Sequence, residues 1–200
     1  SIAAIYVVNE LFNIPGAKVL GMAPQFTSYE MDVKLKGMEY EPVYMKKENN
    51  YRIDVNEILE RITSDLSVVY IDNPNNPTGQ IIAAADIERV LKKAESLGVA
   101  VIVDEAYGDL MDKDNSAIWF LGKYKNMIML RTMSKGFGLA GLRIGYILAH
   151  KEFIMMMRKI RNPYQVSEFA REMAGEALKH SGHIADHMAD FAMQKKKLRE

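Results

Sequence analysis

The chain has 200 residues, of which 48% are hydrophobic and 26% charged, a balance typical of a globular protein that buries a core. Lys and Arg together number 26 and so do Asp and Glu, so net charge gives no reason to expect a nucleic acid, an anionic membrane or an acidic partner. No apolar run approaches the roughly 20 residues that a membrane-spanning helix needs. The absence of cysteine excludes disulfides and thiolate metal ligands within the chain. Residues 1–12 do not resemble a secretory signal, and a cytoplasmic protein is therefore predicted.

Six short runs rich in β-branched and other apolar residues are predicted to be strands. In chain order they cover residues 17–23, 39–45, 66–72, 98–104, 126–132 and 143–149. Amphipathic segments between them, at 53–63 and 84–98, are predicted to be helices, with Asp54 and Asp86 placed where negative charge favours a helix N-terminus. Most of the strands are too apolar to leave one face in water. The alternation therefore predicts an α/β fold, with a mostly parallel sheet and helices on both faces.

A helical region is predicted to follow the last strand. Residues 162–167 interrupt it, a helical pattern resumes at 168, and the final amphipathic stretch ends in a run of charges. Since no internal repeat and no Ser/Gly-rich linker is found, a single domain is predicted.

Polar residues directly follow three of the predicted strands. NPNNPTG (73–79) follows the third, EAYGD (105–109) the fourth and MSKGFG (133–138) the fifth. Ligands of open parallel sheets bind beyond the carboxyl ends of the strands, so side chains from these segments are expected to share one crevice. Each residue alone has an ordinary structural explanation, such as a turn, a helix cap, a buried edge or a solvated lysine.

Taken together, these side chains suit an aldehyde cofactor. The amine of Lys135 can form a Schiff base, and the Asp104 carboxylate at a strand end can keep a pyridine nitrogen protonated. An asparagine amide and a tyrosine hydroxyl can both donate to a phenolate oxygen. Ser134 and Arg143, on either side of the lysine, offer a hydroxyl and a guanidinium suited to a phosphate ester.

The motifs NPNNPTG, VDEAY and SKGFGLAGLRIGY, in this order, resemble those of the pyridoxal-phosphate-dependent aminotransferases of class I/II, which have fold type I. Within that family the chain is most similar to the histidinol-phosphate aminotransferase branch. The resemblance implies pyridoxal 5'-phosphate as cofactor and transfer of an amino group between an amino acid, or an amino-acid-derived phosphate, and a 2-oxo acid. It also implies a homodimer for the complete enzyme.

The resemblance implies a role for each residue of the crevice. Lys135 would be the catalytic residue that carries the Schiff base, and Asp104 would pair with the pyridinium nitrogen. Asn76 and Tyr107 would contact the phenolic oxygen of the cofactor.

Further cofactor contacts follow from the same resemblance. Ser134 and Arg143 would hold the phosphate, and Phe26 matches the position of an aromatic residue that stacks on the cofactor ring. Ser1 and Ile2 match the later part of a small-residue turn whose backbone amides bind phosphate at a helix N-terminus.

The resemblance covers residues 1 to about 180 and corresponds to the cofactor-binding large domain, incomplete at its N-terminus. Residues 181–200 are expected to form a helix that leads to a small domain outside the chain. In the family that small domain supplies the arginine for the substrate carboxylate, so residues 1–200 alone are expected not to catalyse transamination.

Two other functions are compatible with these residues. The same electron sink would serve a decarboxylase of the threonine-phosphate decarboxylase type, and a non-catalytic module that binds pyridoxal phosphate would keep the same contacts.

Three further patterns predict no additional site. His180, His183 and His187 have helical spacing, but no fourth ligand completes a metal site, so no metal is predicted. The basic runs lack interleaved aromatic residues, which argues against nucleic acid. The glycines of GFGLAG (136–141) lack the dinucleotide-binding spacing and are interpreted as letting the backbone pass close to the cofactor.

Overall fold

The computed structural model describes residues 2–198, apart from the side chain of Asp186. Its six-stranded sheet contains β1 (Lys18–Ala23), β2 (Glu39–Tyr44), β3 (Leu66–Asp72), β4 (Ala100–Asp104), β5 (Met127–Thr132) and β6 (Gly145–Ala149). The strand order is β2-β1-β3-β4-β5-β6, and only β6 runs antiparallel to its neighbour. The predicted mostly parallel sheet is confirmed, and its strand limits lie close to those observed.

Seven α-helices lie within residues 2–198. They are α1 (Ile2–Leu11), α2 (Ser28–Leu35), α3 (Val55–Arg61), α4 (Ala84–Ser96), α5 (Lys151–Ile160), α6 (Glu168–Lys179) and α7 (His183–Lys197). The two helices predicted between strands are α3 and α4, and Asp54 caps α3 by accepting hydrogen bonds from two backbone N–H groups of its first turn. None of the helices in the described part of the chain is long and apolar enough to cross a membrane.

The sheet has a separate hydrophobic core on each face, because successive side chains of a strand point in opposite directions. Val69 and Ile71 of β3 pack with α3 and α4 on one face. Val68 and Tyr70 of the same strand pack with α1, α2 and α5 on the other. The prediction of helices on both faces is therefore confirmed, and the polar residues that follow the strands are left at the carboxyl edge of the sheet.

The strand order creates a crevice at that edge. From β1 the chain crosses to β2 on one side, and it then returns to place β3 on the other side of β1. The connections that leave the carboxyl ends of β1 and β3 therefore diverge, which is the arrangement that binds ligands in open α/β sheets.

Gly21 in β1 makes room for a tyrosine of the neighbouring strand. A Cβ atom at Gly21 would lie 1.9 Å from the hydroxyl oxygen of Tyr40 and 2.9 Å from Oε1 of Gln25. In the structure the Tyr40 hydroxyl donates to that Oε1 atom at 2.7 Å. The absence of a side chain at Gly21 thus allows a partly buried hydrogen bond between β2 and the loop after β1.

We expect Gly21→Ala to destabilise the fold by about 1–3 kcal/mol, because the new methyl group displaces Tyr40 in a packed region. The measurement is the free energy of unfolding in denaturant. Gly175→Ala in α6 is the matched control, since a Cβ there meets nothing within 4 Å. That control should be neutral or stabilise the protein by up to about 1 kcal/mol, as alanine is the better helix former. Equal effects of the two variants would contradict the proposed packing role.

Candidate active site

A cavity of about 190 Å³ opens at the carboxyl ends of β3, β4 and β5. Eight of the nine residues predicted for the site line it: Ile2, Phe26, Asn76, Asp104, Tyr107, Ser134, Lys135 and Arg143. The ninth, Ser1, lies outside the described residues. The structure therefore brings the strand-end residues into one crevice, as the parallel sheet predicts.

The carboxyl group of Asp104 is buried at the end of β4, with 2% of the residue exposed. Its Oδ2 atom accepts a hydrogen bond from the hydroxyl of Tyr29, and its Oδ1 atom accepts one from the N–H of Ala106, both at 2.8 Å. Burial raises the pKa of Asp104 to about 6, although both hydrogen bonds act to lower it. Among residues 2–198 no lysine or arginine forms an ion pair with this carboxylate. A cationic group bound in the cavity would therefore be stabilised by it.

Tyr29 was not predicted as a site residue, although it supports Asp104 directly. Its ring stacks on Tyr70 with a centroid distance of 4.5 Å, and only 1% of the residue is exposed. Burial, followed by the charge of Asp104, raises the pKa of Tyr29 well above its usual value, so the phenol keeps its proton and remains a donor. Its position three residues after Phe26, at the start of α2, is the sequence signal that could have identified it.

Lys135 and Tyr107 meet across the cavity opening. The Lys135 Nζ atom lies 5.1 Å from the centroid of the Tyr107 ring, within the range of a cation–π contact. Lys135 is exposed and Tyr107 is half-buried. The amine is thus available to a ligand while the aromatic ring limits its position.

Ser134 and Arg143, which precede and follow Lys135 in the sequence, share the cavity with it. Arg143 has a left-handed backbone conformation with φ of 56°, which is uncommon for a residue with a side chain. Its Nη1 atom donates to the carbonyl oxygen of Ala140 at 3.0 Å. The turn thus directs the guanidinium group, and local strain of this kind is often found at functional sites.

Phe26 and Asn76 line the cavity from the loops that follow β1 and β3. Phe26 is half-buried and packs edge-on against Tyr29, with centroids 5.7 Å apart and rings inclined by 81°. The backbone N–H of Asn76 donates to Oδ2 of Asp72 at 2.8 Å. Asp72 also lines the cavity and, like Tyr29, was not predicted from the sequence.

A buried ion network joins the loop that carries Tyr107 to the end of β5. Arg131 binds Glu105 through Nη2 and Asp109 through Nη1, each at 2.9 Å. Glu105 is fully buried, and its carboxylate also accepts hydrogen bonds from Ser116 and Ala117. Since removing one partner of such a pair would leave an uncompensated buried charge, the network fixes the loop firmly.

Two positions beside this network must be glycine, because a side chain there would overlap neighbouring residues of the protein. A Cβ atom at Gly136 would lie 2.3 Å from the Cβ of Asp109, and one at Gly108 would lie 2.9 Å from Nη1 of Arg131. Gly138 instead has a positive φ of 69° with open space around it. The sequence analysis interpreted Gly136 as letting the backbone pass close to a cofactor. In the structure, the absence of a side chain at Gly136 lets the turn that contains Lys135 pack on the loop after β4.

The predicted histidine pattern lies on α7 and at the turn before it. His183 contacts the rings of Phe137 and His187 edge-on, with centroid distances of 6.0 and 5.4 Å. Within residues 2–198 no group of three His, Cys, Asp or Glu side chains is placed to hold a metal ion.

The donor set of the cavity fits a flat, phosphorylated aldehyde with a basic ring nitrogen. The buried Asp104 carboxylate suits the cationic nitrogen, and the Lys135 amine suits the aldehyde. Ser134 and Arg143 provide the hydroxyl and guanidinium groups that bind phosphate.

Comparison with known proteins agrees with this geometry. The family model described as aminotransferase class I and II matches residues 1–200. Histidinol-phosphate aminotransferases from Francisella philomiragia and Caldanaerobacter subterraneus are 38% and 33% identical over 143 and 195 residues, or 72% and 97% of this chain. These regions are 39% and 53% of the relatives' own lengths, so the chain spans about half the length of the curated relatives it matches.

Solved structures show the same fold. The histidinol-phosphate aminotransferase of Clostridium acetobutylicum has a TM-score of 0.88 and 29% identity, covering 98% of this chain and 57% of its own. The Sinorhizobium meliloti enzyme, solved in complex with pyridoxal-5'-phosphate, has a TM-score of 0.86 and 27% identity, covering 98% and 52%. Because the family model matches residues 1–200, this chain belongs to the aminotransferase class I and II family.

Proposed function

We propose that the protein containing this chain is a pyridoxal-phosphate-dependent aminotransferase. It transfers an amino group between an amino acid, or an amino-acid-derived phosphate, and a 2-oxo acid. The observation that carries this proposal is the presence of the Lys135 amine and the buried Asp104 carboxylate in one cavity. The similarity to histidinol-phosphate aminotransferases supports an amino acid or its phosphate derivative as the amino donor.

Four residues bind and orient the ring of the cofactor in this proposal. Asp104 holds the positive charge at the ring nitrogen, and Tyr29 and Ala106 keep that carboxylate in place. Asn76 and Tyr107 donate hydrogen bonds to the phenolic oxygen, and Phe26 packs on the ring.

The phosphate is held at the other end of the same ligand. Arg143 and Ser134 bind its oxygens, and the charge-assisted contact of the guanidinium is the stronger of the two. Ile2 lies at the first turn of α1, where backbone N–H groups and the helix dipole favour an anion, and Ser1 precedes it.

When bound, pyridoxal phosphate supplies an aldehyde and a ring that accepts electrons. The Lys135 amine would hold the cofactor through its aldehyde group. When free, the same amine would act as the general base that removes the proton from the substrate Cα atom. Because the Tyr107 ring lies beside Nζ, the amine is kept close to the point where it must take and return the proton.

We further propose that residues 1–180 form the cofactor-binding domain, that 181–200 lead to a second domain, and that the complete enzyme is a homodimer. Amino-acid and 2-oxo-acid substrates are its expected partners, without nucleic acid or membrane. A cytoplasmic location is consistent with the absence of cysteine from all 200 residues.

Transfer of an amino group is better supported than decarboxylation. The aminotransferases from Francisella philomiragia and Caldanaerobacter subterraneus are 38% and 33% identical to this chain. The L-threonine-O-3-phosphate decarboxylase from Porphyromonas gingivalis is 25% identical, with a TM-score of 0.75. An assay that measures both 2-oxo acid and carbon dioxide separates the two reactions. Cofactor binding without either product would favour a non-catalytic module.

Borohydride reduction of the cofactor-loaded protein, followed by peptide mapping, should place the label on Lys135. The physical reason is that Lys135 is the lysine whose amine lines the cavity. Lys123 and Lys151 are the internal controls, since both lie outside the cavity lining. Labelling mainly at either control would overturn the assignment, and Lys135→Ala should remove the label.

Asp104→Asn should slow removal of the Cα proton by orders of magnitude while the cofactor still binds. The amide keeps the shape of the side chain but removes the charge that stabilises the cationic ring nitrogen, which for a buried pair amounts to several kcal/mol. Single-turnover absorbance kinetics measure the step. The control is Asp114→Asn, because Asp114 is exposed and removal of its charge should leave the rate unchanged.

The same pair of variants tests the burial of Asp104 without cofactor. The folded pKa of about 6 lies above the ordinary value of 3.8, so this carboxyl favours the folded state at low pH and loses that contribution as pH rises from about 4 to about 6. As pH rises from about 4 to about 6, the free energy of unfolding of Asp104→Asn should therefore increase relative to that of Asp114→Asn. If the difference in unfolding free energy between the two variants did not change with pH, a buried and weakly acidic Asp104 would be contradicted. In the kinetic experiment, a normal turnover rate of Asp104→Asn would show that the role of Asp104 is structural.

A further inference from the structure

Asp72 is a buried carboxylate at the edge of the cavity, with 3% of the residue exposed. Three hydrogen-bond donors converge on it. Gln25 Nε2 and Asn75 Nδ2 each donate to Oδ1 at 2.9 Å, and the N–H of Asn76 donates to Oδ2 at 2.8 Å. Burial raises the pKa of Asp72, whereas the hydrogen bonds from Asn76, Gln25 and Asn75 act to lower it. All three donors thus favour the ionised form of the carboxyl group.

This negative charge has no lysine or arginine as an ion-pair partner among residues 2–198. Asp72 and Asp104 are register partners at the ends of β3 and β4, so two carboxylates stand side by side at the floor of the cavity. Elsewhere in the site the buried carboxylate of Glu105 and the half-buried carboxylate of Asp109 are paired with Arg131. A buried charge without an ion-pair partner is energetically unfavourable. The carboxylates of Asp72 and Asp104 together therefore favour a cation in the cavity.

We propose that Asp72 is a positioning residue that remains ionised, holds Asn76 at the cavity and gives the cavity floor a second negative charge beside Asp104. The part of this proposal that concerns the cofactor rests on the proposed function. The part that concerns the two carboxylates is a property of the protein alone.

The first effect of Asp72 is on the loop after β3. The carboxylate accepts from the backbone of Asn76 and from the side chain of Asn75, whose Oδ1 in turn accepts from the N–H of Thr78 at 3.2 Å. These bonds fix the backbone on which the Asn76 amide is mounted. Gln25 ties the same carboxylate to the Tyr40 hydroxyl, so the loop is also connected to β1 and β2.

The second effect of Asp72 is electrostatic. Within residues 2–198, three phenols face the two carboxylates: Tyr29 from α2, Tyr70 from β3 and Tyr40 from β2. Burial raises the pKa of all three. They remain neutral near pH 7 and therefore add no further charge beside the two carboxylates. Burial is the largest cause of the raised pKa of Asp104, and the charge of Asp72 raises it further.

The test compares Asp72→Asn with Asn73→Ala in cofactor-free and cofactor-loaded protein. Asp72→Asn removes the charge with little change in size. Asn73 is the matched control, because it is fully buried beside Asp72 and anchors the same loop to Ile82 and Asn115 without carrying a charge. A variant that only loosens the loop should behave like Asn73→Ala.

In the cofactor-free protein, the readout is the carboxyl ¹³C titration of Asp104 by NMR. Removal of the neighbouring negative charge makes ionisation easier, so Asp72→Asn should lower the midpoint by about half a pH unit or more, and Asn73→Ala should leave it unchanged. An unchanged midpoint in Asp72→Asn, or an equal shift in Asn73→Ala, would overturn the electrostatic part of the proposal.

In the loaded protein, the readout is the pH midpoint of the absorbance change of the cofactor attached to Lys135. A nearby negative charge favours the protonated cation, so Asp72→Asn should lower this midpoint by about half to one pH unit. The cofactor-free titration does not depend on pyridoxal phosphate. Failure of cofactor attachment would therefore count against the proposed function, whereas an unchanged Asp104 midpoint would count against the role of Asp72.

Asp72→Asn places an amide against three donors and could prevent folding. The wild-type protein then supplies the test, since its own Asp72 carboxyl signal should show the ionised form at pH 7. A protonated Asp72 at that pH would overturn the proposal.

Discussion

The site depends on the burial of one carboxylate, Asp104, at the carboxyl end of a strand whose five residues are all buried. A charge in this position is unfavourable unless other groups compensate for it. The Tyr29 hydroxyl and the Ala106 N–H supply two hydrogen bonds, but among residues 2–198 no lysine or arginine neutralises the charge. The protein thus retains a polarising group that is only partly satisfied, and such groups are characteristic of sites that bind a ligand of opposite charge.

That arrangement requires structure from distant parts of the chain. Tyr29 reaches Asp104 only because α2 follows β1 and packs on the face of the sheet where Tyr70 lies. The Tyr70 hydroxyl in turn donates to Asn9 of α1, whose amide donates to Asp32 of α2 at 2.8 Å. The hydrophobic core and a buried polar network together fix the orientation of the tyrosine that supports the site. Such networks rigidify a core when each member is satisfied.

The carboxylates of the site divide into two groups by their partners. Glu105 and Asp109 share Arg131, and this paired network holds the loop after β4 against the turn that contains Lys135. Asp72 and Asp104 have hydrogen-bond donors but no basic side chain in an ion pair within the described chain. The paired carboxylates maintain backbone positions, whereas the others give the cavity its negative potential. Lys135 and Arg143, by comparison, are exposed side chains at the rim of the cavity. There the Lys135 amine can react with an aldehyde and the Arg143 guanidinium can bind a phosphate.

The sequence by itself determined the six strands, the helices α3 and α4, the helical region after β6, the mostly parallel sheet and the residues that gather at its carboxyl edge. These follow from local properties, because strand periodicity, helix amphipathicity and the position of a residue just after a strand can all be read along the chain. Asn76, Asp104, Tyr107 and Lys135 were predicted for this reason, and the structure places all four in one cavity.

Only the tertiary structure decided which groups support those residues. Tyr29 and Asp104 are 75 positions apart in the chain, and the hydrogen bond between them depends on helix packing that no local pattern specifies. Asp72 reads as the last residue of an apolar strand, and its three donors come from two loops that meet only in the folded protein. The space needed by Tyr40 and Asp109, which makes Gly21 and Gly136 necessary, is likewise set by contacts between segments. Local sequence thus specified the reactive groups, whereas long-range packing fixed their geometry, their burial and hence their charge.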